Sequence, residues 1–407
     1  MSLRLLAVLA IVAEAPVGRA AVFDFYEGEN VDFDFSTRRG LRLRIEEPDL
    51  SFRVGGRLHL DGGFADADRT SVTSPDGEIR RGRIYFRGRL GPAFRFMIDR
   101  ELAPNRRGWR NLWGEVRPLP RLRLRAGNFV APFGLEDIAA SNHSTFAERA
   151  VSAPIAPTFQ SGLLVRTHGR LGSRKTRNRW TLNLAATTSP LGEASDDRHR
   201  TDHFSLVSRL TFAPIAKRGR VVHFGAAVEH RWVEGDSRYR IASRNESVLL
   251  PTLLNTSRLR DVDTVTSVGL ESIVVLGAFS FQAEYMQAFL DRSSGRGNPS
   301  FPGGYAQVAW VVTGESRRYS RSSGLLLGLK PRSRWGAVEL GMRVSAINLN
   351  DETVRGGEAV DWTLGVNWYL RRNVRLMFNY VYADVDPRSG RPSEDLHAAQ
   401  ARFLIFF

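Results

Sequence analysis

Apolar and polar residues alternate at every second position over most of the chain. Between Phe52 and Leu60 the even-numbered positions are Phe, Val, Gly, Leu and Leu, and arginine or histidine occupies three of the four odd ones. Between Arg81 and Leu90, sequence RGRIYFRGRL, all four arginines occupy odd-numbered positions, and the residues between them carry no charge. A period of two is that of a β-strand with one apolar face and one polar face. The chain is therefore predicted to be all-β.

The alternation predicts seventeen strands. They span 51–64, 79–90, 93–101, 109–118, 121–129, 160–170, 178–188, 202–213, 219–233, 262–276, 278–291, 302–314, 322–330, 335–348, 359–371, 373–385 and 396–407. Most reach the length of about ten residues that a tilted strand needs to cross a bilayer. Bacterial outer-membrane barrels have an even number of strands, so one of these strands is expected to be false, and residues 322–330 are the weakest. The predicted fold is a transmembrane antiparallel β-barrel of about 16 strands.

The links between predicted strands fall into two length classes. Short links lie at Gly91-Pro92, Leu119-Pro120 and Arg371-Arg372. Long links span 65–78, 130–159, 189–201, 234–261 and 386–395. Short turns at one end and long loops at the other are typical of an outer-membrane barrel.

Both ends of the chain carry patterns of exported proteins. Residues 1–20 place Arg4 before an apolar core and end in Gly-Arg-Ala, which predicts a signal peptide. Residues 21–50 are predicted as an N-terminal periplasmic segment and residues 51–407 as the barrel. At the other end Phe403, Ile405 and Phe407 alternate. An aromatic residue at the end of an amphipathic last strand is typical of an outer-membrane assembly signal, although a buried edge strand would show the same pattern.

A soluble two-sheet sandwich would also alternate, with its charged face outward. Seventeen strands would need several sandwiches, and the sequence contains no Pro-, Gly- or Ser-rich linker to divide them. Aromatic residues such as Trp362, Trp368 and Tyr380 gather near strand ends, which fits the interfacial girdles of a barrel. Because an arginine in hydrocarbon costs about 2–4 kcal/mol, the basic face is predicted to line a wet lumen. The apolar face is predicted to touch lipid or a neighbouring subunit.

The composition is basic and lacks cysteine. Lys and Arg number 58 against 43 Asp and Glu, a net charge of +15, and 55 of the 58 are arginine. Without cysteine there is no disulfide, thiolate nucleophile or thiolate metal site. No GxSxG, HExxH or P-loop motif occurs and the eight histidines are scattered, so we predict no enzyme, cofactor or metal site. Arginines that alternate in strands also argue against nucleic acid as a partner.

Five segments of the chain match one known family in the same order. The segment NFVAPFGLEDIAASNHSTFAERA, from residue 128, follows the pattern G-x-F-x-x-P-F-G-L-E … S-S-x-x-x-T-F-x-E-R. The others are FRVGGRLHLDGGF at 52–64, RRGRIYFRGRLG at 80–91, GYAQVAWVVTGESRRY at 304–319 and DWTLGVNWYLRRNVRLMFNYVYADVD at 361–386. Together they resemble the phosphate-selective porin family, porins O and P. The resemblance implies a sixteen-stranded homotrimeric channel in the outer membrane of a Gram-negative bacterium, selective for anions.

The resemblance also implies roles for individual residues. Arg57, Arg80 and Arg81 match basic positions of the family's selectivity pattern, and Arg95 and Glu115 match plausible lumen positions more loosely. Strand alternation adds further candidate arginines on the lumen face: Arg53, Arg83, Arg87, Arg121, Arg123 and Arg125. The predicted anion-binding or pore-lining residues are Arg57, Arg80, Arg81, Arg83, Arg95, Arg123, Arg125 and His143.

Residues 130–159 follow the fifth predicted strand and are more apolar than a solvated loop. Long ordered loops are usually functional, and in sixteen-stranded porins the loop after the fifth strand folds inward and narrows the channel. We predict the same here; the alternative is a surface loop over the barrel rim. His143 lies where the family commonly carries Lys or Arg. Its neutral imidazole leaves anion preference in place and weakens the expectation of phosphate preference.

The predicted function is passive uptake of phosphate or polyphosphate through an arginine-lined channel. Guanidinium groups stay charged and match phosphate oxygens in pairs, and several moderate sites in series let an ion pass. Two alternatives stay open: a general or other-anion diffusion channel, and a non-conducting structural barrel. Arginines at the rim would instead bind lipopolysaccharide phosphates, so outer-membrane lipids and lipopolysaccharide are predicted partners.

Overall fold

The structure, a computed structural model, describes residues 22–28, 31–36, 40–72, 77–172, 178–191, 201–235, 238–293, 295 and 297–407. The predicted signal peptide, residues 1–20, lies outside these ranges. Within them, strands dominate and helix is limited to α1, Leu135–Ile138, with 3₁₀ turns at Pro104–Arg106, Ala153–Ile155 and Arg388–Gly390. No helix in the described residues is long and apolar enough to cross a membrane.

Sixteen of the described strands form one closed antiparallel sheet. They are β1 Leu50–Ala67, β2 Glu78–Leu90, β3 Phe94–Glu101, β4 Gly108–Leu119, β5 Leu122–Val130, β6 Phe159–Gly169, β7 Arg179–Thr188, β8 His203–Lys217, β9 Arg220–Val233, β10 Val262–Leu276, β11 Phe279–Arg292, β12 Ser300–Val311, β13 Ala337–Asp351, β14 Val354–Arg371, β15 Val374–Pro387 and β16 Glu394–Phe406. The last strand pairs with the first from Leu396↔Ala67 to Phe406↔Arg57. The predicted sixteen-stranded barrel is confirmed.

The two faces of the sheet differ as the alternation predicts. Large apolar side chains such as Leu210, Phe224 and Leu364 are more than half exposed on the outer wall. Arginines are among the most deeply buried side chains: Arg110, Arg209, Arg231, Arg343, Arg375 and Arg402. Apolar groups thus cover the wall that meets hydrocarbon, and the charged groups lie inside.

Residues 322–330, the weakest of the seventeen predicted strands, are the one that does not belong to the barrel, as expected from the even strand number. The segment between β12 and β13, residues 312–336, contains a two-stranded hairpin in which Arg318–Ser320 pairs with Leu325–Leu327. The apolar residues of this hairpin pack with Ile273 and Val275 of β10 in a small buried cluster. An apolar run buried inside the barrel produces the same local pattern as a lipid-facing strand, which explains why the alternation included this segment.

Most short links lie at one end of the barrel, and most long links lie at the other. Five short links lie at one end, here called the short-turn end: 91–93, 120–121, 218–219, 277–278 and 372–373. Four longer links lie at the opposite end, here called the long-loop end: 68–77, 131–158, 189–202 and 234–261. The two-residue link 352–353 is also at the long-loop end. The hairpin segment 312–336 is a long connection at the short-turn end. A short strand pair, Ala242–Ser243 with Leu254–Asn255, lies within 234–261.

Three further strands precede the barrel: Val22–Gly28, Val31–Ser36 and Gly40–Ile45. The third pairs with the start of β1, from Leu41↔Val54 to Ile45↔Leu50. The first strand of the barrel therefore has two partners on one edge, this strand near its beginning and β16 farther along. The rings of Phe35 and Phe407 are 6.3 Å apart, so the N-terminal strands pack against the end of the chain.

Candidate anion site in the barrel lumen

Residues 131–158, between β5 and β6, are held to inward-facing side chains by ion pairs. Glu148 accepts hydrogen bonds from Arg80 of β2 at 2.8 Å and from Arg402 of β16 at 2.5 Å. Glu136 accepts one from Arg343 of β13 at 3.0 Å. These contacts fix the segment to two separate parts of the inner wall.

Glycines in the wall allow this segment to approach closely. A Cβ atom on Gly303 of β12 would lie 2.8 Å from Ile155, and one on Gly341 of β13 would lie 2.9 Å from Thr145. Both distances are shorter than ordinary contacts, so a side chain at either glycine would force Ile155 or Thr145 of the segment to move. Glu284 of β11 accepts hydrogen bonds from the backbone N–H groups of Leu135 and Glu136 at the start of α1. Backbone and side-chain contacts therefore act together to fix the path of 131–158.

A cavity of about 280 Å³ lies between this segment and the inner faces of β1–β8. Its lining contains eight arginines and one carboxylate, Asp137. The arginines are Arg57, Arg81, Arg83, Arg87, Arg125, Arg149, Arg166 and Arg209. A narrow space lined mainly by one sign of charge raises the local concentration of the opposite ion. We call this space the main cavity.

Half of the arginines around the main cavity are neutralised by carboxylates. The pairs are Arg83 with Glu101, Arg125 with Glu115, Arg149 with Asp137 and Arg209 with Glu271, at 2.7, 2.7, 3.1 and 2.5 Å. The other four of the eight lining arginines are Arg57, Arg81, Arg87 and Arg166. For these four, no described carboxylate lies within ion-pair distance. The net positive charge of the cavity therefore comes from them.

The four unpaired guanidinium groups make few contacts with protein. Arg57 donates to the Ser141 hydroxyl at 3.3 Å, and Arg166 donates to the Asn183 side chain at 3.2 Å. Arg87 lies over the ring of Tyr85 at 4.4 Å. The Nε atoms of Arg57 and Arg81 are buried without a hydrogen-bond partner. A buried cation is costly unless something compensates its charge, so this arrangement favours an anion as ligand.

A second cavity of about 230 Å³ lies toward the long-loop end. Arg106 of the β3–β4 link and Arg244 of the 234–261 link line it, together with Arg80. Arg81 and Arg149 line both cavities. The two spaces thus meet at a pair of shared guanidinium groups. We call this space the outer cavity.

The structure brings together four of the sequence-predicted site residues, Arg57, Arg81, Arg83 and Arg125, around the main cavity. Arg80 lines the outer cavity instead, paired with Glu148. Arg95 is half-buried opposite Glu115 in the strand register, and Arg123 lies 3.5 Å from the same carboxylate. Neither of these last two is among the residues that line the two cavities.

His143 lies apart from both cavities. Its ring is 6.3 Å from that of Phe406, and a Cβ on Gly328 of the hairpin segment would lie 2.8 Å from Nδ1. Burial, reinforced by the positive charges of Arg375 and Arg317, lowers the pKa of His143 to about 4. The imidazole is therefore neutral at pH 7 and adds no positive charge to the lumen.

Sequence reasoning missed Arg149, Arg166 and Arg209. The strand alternation did contain the signal for two of them. In β6, Arg166 lies on the inward face of the strand, whereas Leu163 and Val165 face outward. In β8, Arg209 faces inward next to the outward-facing, exposed Leu210. Arg149 lies in a loop, where alternation gives no information. Among the described residues, no group of three or more His, Asp or Glu side chains is arranged to hold a metal ion.

The hairpin segment 312–336 forms part of the cavity wall from the short-turn end. Arg209 donates to the backbone carbonyl oxygens of Ser323 at 3.0 Å and Gly324 at 3.1 Å. His223 Nδ1 and the Tyr319 hydroxyl are 2.7 Å apart. Ser323 and Leu325 line the main cavity. The hairpin therefore narrows the lumen on that side.

Comparison with known proteins decides the family. The family described as phosphate-selective porin O and P matches residues 52–407. The chain belongs to the phosphate-selective porin O and P family. Porin O of Pseudomonas aeruginosa is 25% identical over 425 residues, which cover 95% of this chain and 94% of that protein.

Two solved structures show the same fold at low identity. In-vitro folded OmpT of Vibrio cholerae is 12% identical with a TM-score of 0.51, covering 87% of this chain and 97% of that one. An anion-selective porin from Comamonas acidovorans is 10% identical with a TM-score of 0.50, covering 88% of this chain and 100% of that one. The predicted family and the predicted outer-membrane location are confirmed. This member of the porin O and P family is an outer-membrane anion porin of a Gram-negative bacterium. Its family and its porin homologue point to a channel.

Proposed function

We propose that the channel conducts phosphate or short polyphosphate, and that the four unpaired arginines of the main cavity hold the anion during passage. The observation that carries this proposal is the cluster of Arg57, Arg81, Arg87 and Arg166 around one cavity, without carboxylate partners in the described residues. Paired arginines contribute little net field, because the partner carboxylate cancels most of their charge. Selectivity therefore rests on the unpaired ones.

The positions of these groups fit a tetrahedral oxyanion. Arg57 and Arg81 come from β1 and β2, whereas Arg166 comes from β6 on another part of the wall. A phosphate between them offers acceptor oxygens in several directions, and planar guanidinium groups can contact them in pairs. Chloride accepts hydrogen bonds too but has no fixed directions, so it gains less from this geometry.

Conduction needs release as well as binding. An anion from the long-loop end first meets Arg106 and Arg244 in the outer cavity, then Arg81 and Arg149 at the junction, then the main cavity. Several moderate sites in series allow transfer from one to the next, whereas a single tight site would block the pore. Two cavities joined at shared arginines would also hold neighbouring phosphoryl groups of a polyphosphate.

Further parts of the proposal concern assembly and membrane. Three copies assemble as a homotrimer in which each barrel has its own lumen; a solved structure of OmpT from Vibrio cholerae in a trimer form, with a TM-score of 0.50, supports this. The apolar outer wall contacts lipid and, at the long-loop end, lipopolysaccharide. Residues 1–20 are removed as a signal peptide, and residues 21–50 lie on the periplasmic side. The pairing of Gly40–Ile45 at the short-turn end supports the latter.

Reconstitution in a planar bilayer tests the proposal. In a KCl gradient the reversal potential should show anion selectivity, and phosphate at low concentration should block the chloride current. Cation selectivity or absence of current would contradict an anion channel. Chloride conduction without phosphate block would favour a general anion channel. That channel is the second candidate function, because a neutral His143 lies where the family commonly carries Lys or Arg.

A further inference from the structure

A tight turn at the short-turn end of the barrel presents a cation and an indole together. The Gly336 N–H donates to the carbonyl oxygen of Ser333 at 3.1 Å, which places Arg334 and Trp335 at the two central positions of a β-turn. Arg334 is exposed and Trp335 is 72% exposed. The Arg334 guanidinium lies over the indole, 5.1 Å from the ring centroid.

Contacts with β14 place this turn beside the outer wall of the barrel. The indole N–H of Trp368 donates to the backbone oxygen of Trp335 at 2.8 Å. Trp368 is 39% exposed on the outward face of β14, whereas its two chain neighbours are buried. Arg371 donates to the backbone oxygen of Arg334 at 3.4 Å. These four residues, Arg334, Trp335, Trp368 and Arg371, are here called the Arg-Trp cluster.

The depth of the Arg-Trp cluster corresponds to a headgroup layer. The exposed apolar residues of β14 run from Val360 to Trp368. At about 3.3 Å per residue and a tilt of about 40°, they cover roughly 20 Å of membrane depth, most of an apolar band of about 25 Å. Arg371 follows at the short-turn end, which faces the periplasm in outer-membrane barrels. The cluster therefore lies at the interface of the periplasmic leaflet, where tryptophan is enriched and phospholipids replace lipopolysaccharide.

The links around the cluster are basic. Residues 330–336, KPRSRWG, and 370–374, LRRNV, contain five cationic side chains and no acidic one. Within the described ranges, no carboxylate forms an ion pair with Arg332 or Arg334. Glu315 accepts a hydrogen bond from the backbone N–H of Arg332 at 2.9 Å, but only 2% of this residue is exposed. The surface of the cluster is therefore positively charged.

We propose that the Arg-Trp cluster binds one anionic phospholipid of the periplasmic leaflet. The lipid phosphate contacts the guanidinium groups of Arg334 and Arg371, whose planar donors match phosphate oxygens. The exposed indole of Trp335 packs beside the glycerol region, as interfacial tryptophans do. The lipid holds this side of the barrel at a fixed depth in the membrane, a role that is separate from ion conduction because Arg334 lines neither cavity.

The neighbouring wall favours a lipid over a free anion. Val338 lies opposite Trp368 in the register of β13 and β14, and Leu340 is the next outward-facing residue of β13. Acyl chains of a lipid whose phosphate lies at the cluster would run along these residues toward the bilayer centre. Phosphatidylethanolamine would bring an ammonium group to a site without an exposed carboxylate. A headgroup without positive charge, such as that of phosphatidylglycerol, is therefore preferred.

Native mass spectrometry of the purified protein tests the site. The protein is exposed to equal amounts of phosphatidylglycerol and phosphatidylethanolamine with identical acyl chains, without divalent cations. We expect one bound phosphatidylglycerol in preference to phosphatidylethanolamine, by a factor between about 2 and 30 for two exposed charge pairs. A second measurement adds inorganic phosphate at the concentration of the lipid, which should not displace phosphatidylglycerol because it lacks the chains.

Two double variants separate the cluster from the general charge of the short-turn end. Arg334→Gln with Arg371→Gln should bring the ratio of the two lipids to about 1. Lys217→Gln with Arg220→Gln is the matched control, because these exposed cations lie opposite each other at another short turn and are outside the cluster. It removes the same charge and should keep the preference. Heat-modified gel migration and KCl conductance confirm that both variants fold.

Equal retention of the two lipids by the unmodified protein would overturn the proposal. Equal loss of preference in the two double variants would do so too, because it would assign the effect to net charge. Displacement of phosphatidylglycerol by an equal concentration of inorganic phosphate would assign the cluster to free anions, against the proposal. None of these results bears on anion conduction, so failure here is distinguishable from failure of the proposed function.

Discussion

Replacement of Arg81 by glutamine should weaken phosphate binding without disturbing the barrel. Arg81 lines both cavities and is 9% exposed, and its Nε atom has no hydrogen-bond partner. No described carboxylate depends on it for an ion pair. Arg83 differs, because its loss would leave the buried Glu101 without its partner at 2.7 Å. Arg81→Gln therefore changes the charge of the cavity with little cost in folding.

The expected magnitude follows from the charges around the main cavity. The variant leaves three of the four unpaired arginines, so the channel should remain anion-selective. The lost contact with phosphate is a charge-assisted hydrogen bond, which is worth about 1.5–3 kcal/mol. At about 1.4 kcal/mol per factor of ten, phosphate should block the chloride current roughly 10- to 150-fold less tightly.

Block of single-channel chloride current by phosphate measures this change directly. Arg81→Lys keeps the charge and loses the planar pair of donors, so its block constant should lie between those of the unmodified channel and Arg81→Gln. Arg334→Gln is the control, because Arg334 is exposed and lines neither cavity. Unchanged block in Arg81→Gln, or equal weakening in Arg334→Gln, would refute the reasoning.

Contacts elsewhere in the barrel give three further tests. Glu148→Gln removes the carboxylate that Arg80 and Arg402 share, so the free energy of unfolding should fall by about 3–5 kcal/mol. An unchanged unfolding midpoint in a heat-modifiability gel would contradict this. Replacing residues 318–327 with a Gly-Ser link should raise single-channel conductance and keep anion selectivity, because the hairpin lines the main cavity; equal conductance would show that it does not limit flow. His143 has its pKa lowered to about 4, whereas the unfolded chain gains this proton below about pH 6.5. Stability should thus decline as pH falls from about 6.5 to 4, and His143→Gln should decline less in denaturant titrations; parallel curves would contradict the buried neutral state.

The barrel could be predicted from sequence because its rule is local. Lipid on one side and water on the other require alternation along each strand, and Phe52–Leu60 or Arg81–Leu90 show it without any knowledge of their neighbours. The rule fails at 322–330, where Leu325–Leu327 is apolar because it packs inside the barrel against Ile273 and Val275. Local periodicity cannot distinguish those two environments.

The site could be predicted only in part, because ion pairing is not local. Alternation places Arg83 and Arg125 on the same face as Arg57, yet Glu101 and Glu115 on neighbouring strands neutralise the first two. Which arginines remain unpaired depends on strand register and on carboxylates far away in sequence. The family resemblance identified Arg57 and Arg81 but gave no reason to single out Arg166.

The most direct measurement of the central claim is the reversal potential of the double variant Arg57→Glu, Arg81→Glu in a KCl gradient. The variant removes two of the four unpaired positive charges and adds two negative ones, so the net charge of that set falls from +4 to 0. If these guanidinium groups face the water-filled path, anion selectivity should be lost or reversed. Anion selectivity equal to that of the unmodified channel would show that they lie outside the path and would contradict the account.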